Sequence, residues 1–186
     1  MSGFVTLLVI MLTLSGLLAA GLVLIYNRLV TLRARFENAF AQIEVQLTRR
    51  YELIPNIVEV AKAYLKHEGD TLLTVIDARN SALHSLRTAA AHPDDPAAIA
   101  SLNMAEKKLA DNFGGLRVQM EAYPELKGNS VMMQLSEELA ATENRVAFAR
   151  QAFNDAVTAY NVQRNRFPAN MAAGVFGHNQ DAALLT

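Results

Sequence analysis

The sequence predicts an all-α protein: an N-terminal transmembrane helix continuous with a long antiparallel four-helix, coiled-coil-like bundle. Three observations predict it. Residues 1–27 carry no charged side chain, and Gly3 to Ile25 is an almost unbroken apolar run. Nine glycines and five prolines in 186 residues are too few turn-formers for an all-β chain. Between sparse breakers, apolar residues recur in alternating steps of three and four, the seam of left-handed helix packing.

The apolar run comes first. At about 1.5 Å per residue, Gly3 to Ile25 reaches about 34 Å, enough for a hydrocarbon core of about 30 Å. A cleavable signal peptide is the competing reading, with Ala19, Ala20 and Gly21 as peptidase bait. That reading needs a basic start and a shorter core, so residues 1–27 are expected to stay as an anchor. Arg28, Arg33 and Arg35 follow the run and no basic residue precedes it. The positive-inside rule then puts the amino terminus outside and the remainder in the cytoplasm. The same three arginines are candidates for lipid headgroup contact. Ser15 with Ala19 and Gly16 with Ala20 form small-xxx-small pairs, candidates for association between membrane helices. Small residues are also common in membrane helices without any such role.

Four further segments of helical length follow, over 26–67, 70–90, 96–122 and 130–166. Asp70 is a candidate cap for the second. His92-Pro93-Asp94-Asp95-Pro96 supplies a loop, an aspartate cap and a proline at the first helical position of the third. Tyr123-Pro124 through Gly128-Asn129 makes the next break, with Asn129 or Ser130 as cap, and Phe167-Pro168 ends the pattern. No Gly/Ser-rich linker follows the membrane run, so it and the first segment form one rod. Short loops force neighbours antiparallel, giving an up-down-up-down bundle over 28–166. Residues 167–186 form a tail whose default is a frayed terminus, with docking on the bundle, a neighbouring subunit or the membrane as alternatives.

The seams name the expected core. The first segment presents Phe36, Phe40, Ile43, Leu47, Arg50, Ile54, Ile57, Ala61 and Tyr64. The third presents Ile99, Leu102, Glu106, Leu109, Phe113, Leu116 and Met120, and the last runs from Leu135 through Phe153 to Tyr160. Arg79 falls in line with Leu72, Ile76, Leu83 and Leu86 on the second. Charges at Arg50, Arg79 and Glu106 sit where apolar residues belong. Either Arg79 or Arg50 pairs across the bundle with Glu106 or Glu143, or these slots lie at the wetter edge and snorkel to water. Arg49 lies on the opposite face, too far from the membrane for headgroups, and is expected to make ordinary surface contacts. Pro55 removes the amide that would bond the Tyr51 carbonyl, so a kink or hinge is expected there, splitting the first helix. Gly114-Gly115 marks a bend, a close helix contact or merely a weak joint.

Several function classes drop out. A chain without cysteine has no thiolate zinc site, disulfide or cysteine nucleophile. Seventeen basic against eighteen acidic residues leave a net charge of −1, without the basic excess that a nucleic-acid binder uses on phosphates. No His-Glu-x-x-His, phosphate loop or nucleophile elbow occurs among residues including His67, His84, His92 and His178. His67-Glu68 is better read as a helix-end cap than as a metal site. Glu52 and Glu59 share a face, but di-metal bundles also need Glu-x-x-His pairs. No catalytic, cofactor-binding or metal-ligating residue is expected.

The blocks Tyr26-Asn27-Arg28-Leu29-Val30, Gln42 through Arg50, and Leu53-Ile54-Pro55-Asn56-Ile57-Val58-Glu59 resemble the LemA family. So do Tyr64 with His67-Glu68, Ala78-Arg79, Tyr123-Pro124-Glu125-Leu126-Lys127, Thr142-Glu143-Asn144-Arg145, Ala149-Arg150, Tyr160-Asn161 and Phe167-Pro168. They recur in order over residues 26–177. The resemblance implies a bacterial inner-membrane protein with one amino-terminal span, a helical bundle and no established enzymatic activity. Family members occur beside HtpX-type membrane proteases, and a relative takes part in magnetosome membrane biogenesis. This chain departs from the family after Val175-Phe176-Gly177, where further aromatics are usual. The expected function is a non-enzymatic, membrane-anchored scaffold that self-associates as a homo-oligomer and contacts lipids. The alternative is a regulatory adaptor for a membrane protease or transporter.

Overall fold

The computed structural model describes residues 2–65 and 69–186. Helix is the only regular structure among them: α1 (Ser2–Lys62), α2 (Gly69–Ala91), α3 (Pro96–Glu121), α4 (Pro124–Lys127), α5 (Ser130–Asn165) and α6 (Ala169–Ala172). The fold is all-α. His67 and Glu68, read from sequence as a cap, lie outside the described residues.

α1 is a single helix of 61 residues that holds both the apolar run and the first seam. Pro55 lies inside it and does not split it. The helix ends earlier than its periodicity suggested, at Lys62, after which Leu65 donates back to the Ala61 carbonyl. Burial divides α1 sharply. From Phe4 to Leu24 the large side chains stand exposed, Leu17 at 72%, whereas Leu29, Phe36 and Ile43 are at 0–1%. Among the described residues one helix is long and apolar enough to cross a membrane, and it is this one.

Side-chain pairs fix how the remaining helices lie. Phe36 meets Tyr160 and Phe153 edge-on, and Phe40 meets Phe153, so α5 runs back along α1. Further along, Arg49 reaches Glu138 in the same antiparallel sense. Thr71 meets Gln119 and Ser85 meets Ser101, so α3 runs back along α2. Arg33 reaches Asp94 and Arg50 reaches Glu106, which sets α3 in the direction of α1.

The caps follow local chemistry. Asp95 accepts from the Ala97 amide with Pro96 at the first helical position, and Asn129 accepts from the amides of Val131 and Met132. Asp70 differs from expectation: α2 already includes Gly69, and the Asp70 carbonyl accepts from the Thr74 hydroxyl. The break at 123–129 contains a helical turn, α4, whose Leu126 is fully buried. On α2 the buried face is Leu72, Val75, Ala78, Ala82, Leu86 and Ala89: Leu72 and Leu86 are buried as expected, while between them burial falls one position before Ile76, Arg79 and Leu83. Small alanines let the neighbouring backbones come close, which leaves Ile76, Leu83 and Arg79 on the flank. Gly114 and Gly115 make no close contact, since a Cβ at either would meet nothing within 4 Å.

Candidate functional site

The interior charges form a compact network. Arg50 and Glu106 pair, with side chains only 15% and 13% exposed, and the Tyr51 hydroxyl donates to the same carboxylate. Burial pushes the Tyr51 phenol well above its ordinary range, and the adjoining Glu106 charge pushes the same way. The hydroxyl therefore stays a donor. The pairing between Arg50 and Glu106 is one of those the sequence left open. Arg79 takes a different partner from the one expected: its Nε donates to the Tyr51 carbonyl oxygen at 2.9 Å, and it also reaches Asn80. Glu143 joins no ion pair among the described residues; it lines the two cavities described below.

Arg33 does not face solvent alone. It pairs with Glu37 at 2.9 Å and with Asp94 at 2.6 Å. The Glu37 hydrogen bond and the two carboxylate charges outweigh burial and hold its guanidinium firmly charged. It therefore ties α1 to the α2–α3 loop, and of the three candidate headgroup contacts only Arg28 and Arg35 are exposed. Arg49 is a surface residue paired with Glu138 and Glu52. Ser15, Gly16, Ala19 and Ala20 lie exposed on the bare part of α1. No cluster of three or more His, Cys, Asp or Glu side chains suited to a metal ion occurs among the described residues.

The tail is docked, not frayed. After Gly177, which turns the chain with φ of 81°, the chain lies in a groove between α3 and α5. Asn161 donates to the Ala182 carbonyl and accepts from the Ala182 amide, both at 2.9 Å. Asn154 does the same for Leu185, again at 2.9 Å. From the other wall, Asn103 donates to Leu184 and accepts from the Thr186 amide. A carboxamide carries both donor and acceptor, so each asparagine imitates a neighbouring strand. Asn154 and Asn161 are two helical turns apart, about 10 Å, which matches about 10 Å for three extended residues. Arg164 completes the clamp through the carbonyls of His178 and Asn179 and the Asp181 carboxylate. His178 is buried at 4% exposure with its Nδ1 2.9 Å from the Tyr160 hydroxyl. Burial, reinforced by Arg33 and Arg164, holds the His178 pKa below its usual value.

Sequence reasoning missed these asparagines as a set. Polar residues on helix flanks look alike whether they face water or a strand, and only the spacing of Asn154 and Asn161 hinted at a linear ligand. Beyond Thr186 the groove continues past Arg50, Glu106 and Arg150. Separate cavities of about 200 and 370 Å³ are both lined by Phe113 and Leu139, the larger also by Met120 and Met132.

No curated protein matches the sequence. The family model for LemA matches residues 39–185, from within α1 through the clamped tail. With that match covering most of its length, the chain belongs to the LemA family.

Proposed function

We propose that this protein is a non-enzymatic, membrane-anchored four-helix bundle that works by association, as a self-associating scaffold or membrane organiser. One observation carries the reading. The same uninterrupted helix that forms the bundle core carries, from Phe4 to Leu24, fourteen exposed large apolar side chains. Such a surface is insoluble unless lipid or another copy covers it. The antiparallel pairings of α1 with α5 and of α2 with α3 support the bundle reading, with the bundle in the bacterial cytoplasm and the amino terminus across the inner membrane. Ser15, Gly16, Ala19 and Ala20 would face like residues of a second span.

A regulatory adaptor for a membrane protease or transporter is the second reading. The larger of the two cavities favours it, because methionine-rich apolar grooves accommodate partner side chains. The mass of the full chain in nanodiscs, beside a chain starting at Arg28, tests both. A defined assembly that is lost on truncation supports the scaffold. A monomer in both forms rejects it and leaves the adaptor.

A further inference from the structure

We infer that the turn after α5, residues 166–177, is a second membrane contact: an apolar patch that lies in the bilayer interface beside the root of the span. The inference rests on the membrane-anchored reading and adds a surface to it.

The patch is built from both faces of one short segment. Ala169, Ala172 and Ala173 are buried at 1–8% exposure, seating α6 against α1 and α5. On the outward side Phe167, Met171 and Val175 are 74%, 74% and 85% exposed. Met171 lies within α6, and Phe167 and Val175 flank it on either side, so the three exposed side chains fall within one short segment. Water solvates such side chains poorly, and none of the described residues covers them.

Position identifies what covers it. The Phe176 ring packs edge-on against Tyr26, with centroids 5.2 Å apart. Tyr26 follows directly on the apolar run, two residues before Arg28, the first charge in the sequence. A tyrosine at that point sits at headgroup level, where its ring is apolar and its hydroxyl wet. The Tyr26–Phe176 contact therefore sets the patch at the same height as the membrane surface. Charge agrees. The carboxylates at this end, Glu37, Asp94 and Asp181, are paired with Arg33 and Arg164, whereas Arg28, Arg35 and Arg166 stand exposed. Basic residues flanking an exposed apolar row suit an anionic lipid surface. A second contact beside the span would stop the bundle from swinging freely on α1 and fix which side faces the membrane.

The chain has no tryptophan, so a single introduced indole reports its own surroundings without background. The full-length protein is placed in nanodiscs of brominated phosphatidylcholine and phosphatidylglycerol, as four variants: Met171→Trp, Val175→Trp, Leu12→Trp and Phe148→Trp. Phe148 is 74% exposed on α5, far along the bundle, and serves as the solvent control. An interfacial apolar face lies about 5–10 Å into the headgroup–acyl boundary, so Met171→Trp and Val175→Trp should lose roughly half their emission to shallow bromines. Leu12→Trp should be quenched by deep bromines and Phe148→Trp by neither. If Leu12→Trp is quenched while the two patch variants behave like Phe148→Trp, the inference fails and the anchor stands. If Leu12→Trp is also unquenched, both fail. Blue-shifted but unquenched emission from the patch variants would mean that protein, such as a second copy, covers the row, and would likewise overturn the lipid assignment.

Discussion

Arg79 Nε donates to the carbonyl oxygen of Tyr51 at 2.9 Å, and Tyr51 is the residue whose helical donor is missing because Pro55 stands four positions on. A buried carbonyl without a donor costs about 1–3 kcal/mol. The guanidinium from α2 supplies that donor, so a local defect in α1 becomes a tertiary bond that fixes the α1–α2 register. Proline and arginine are thus two halves of one device.

The device predicts non-additivity. Arg79→Met should cost about 1–3 kcal/mol in denaturant unfolding of the full chain in detergent, because the Tyr51 carbonyl is then orphaned. Pro55→Ala restores the amide. In that background Arg79→Met should cost markedly less, giving a coupling energy of about 1 kcal/mol or more in a double-mutant cycle. Equal costs in both backgrounds would separate the two residues.

The ion pairs of α1 should differ with burial. Glu106→Ala removes the partner of both Arg50 and Tyr51 in a largely buried setting, where breaking a pair costs about 3–5 kcal/mol. Glu138→Ala removes one of the two partners of Arg49, whose side chain is half exposed and screened by water, and should lower stability far less. Paired melts of the two variants check this; similar losses would contradict the burial argument.

Asn154→Ala should release the end of the tail without unfolding the helices. It deletes two hydrogen bonds to Leu185, each worth about 1 kcal/mol. Hydrogen exchange at the amides of Ala182, Leu185 and Thr186 should speed up by one to two orders of magnitude on that scale, with the core amides unchanged. Unaltered exchange at those three amides would show that the clamp is not what holds the tail.

Docking of the tail should weaken in acid. The His178 pKa is lowered by burial, then by the neighbouring charges of Arg33 and Arg164. The released ring takes up its proton at the ordinary value of about 6.5, before the docked ring does. Above that pH both forms are neutral and docking is at full strength. As pH falls from about 6.5 towards the lower docked value, docking loses at most about 1.4 kcal/mol per pH unit. Carboxypeptidase release of the tail, followed at pH 7.5 and pH 5.5, checks it, and His178→Gln should flatten the dependence.

Periodicity and punctuation determined much of this protein from sequence alone. Phe36, Phe40, Ile43 and Leu47 on α1, and Leu139, Val146, Phe153 and Tyr160 on α5, are buried where the three-four repeat put them. Asp95 and Asn129 cap where their neighbours said a helix must begin. These features are local: a cap needs two or three residues, and a seam needs only one helix. Where the sequence read one helix at a time, the tertiary structure decided otherwise. Between Leu72 and Leu86 it buried Val75, Ala78 and Ala82 in place of Ile76, Arg79 and Leu83, since close packing with α1 and α3 rewards small residues over a hydropathy stripe. Arg79 was handed to a carbonyl instead of a carboxylate, and Arg33 to Asp94 across sixty residues. The tail was laid between Asn103, Asn154 and Asn161, which lie more than fifty positions apart at the extremes and have no shared pattern until α3 and α5 face each other. An acceptor in need of a donor names no address in sequence; only the packed helices bring the two within 3 Å.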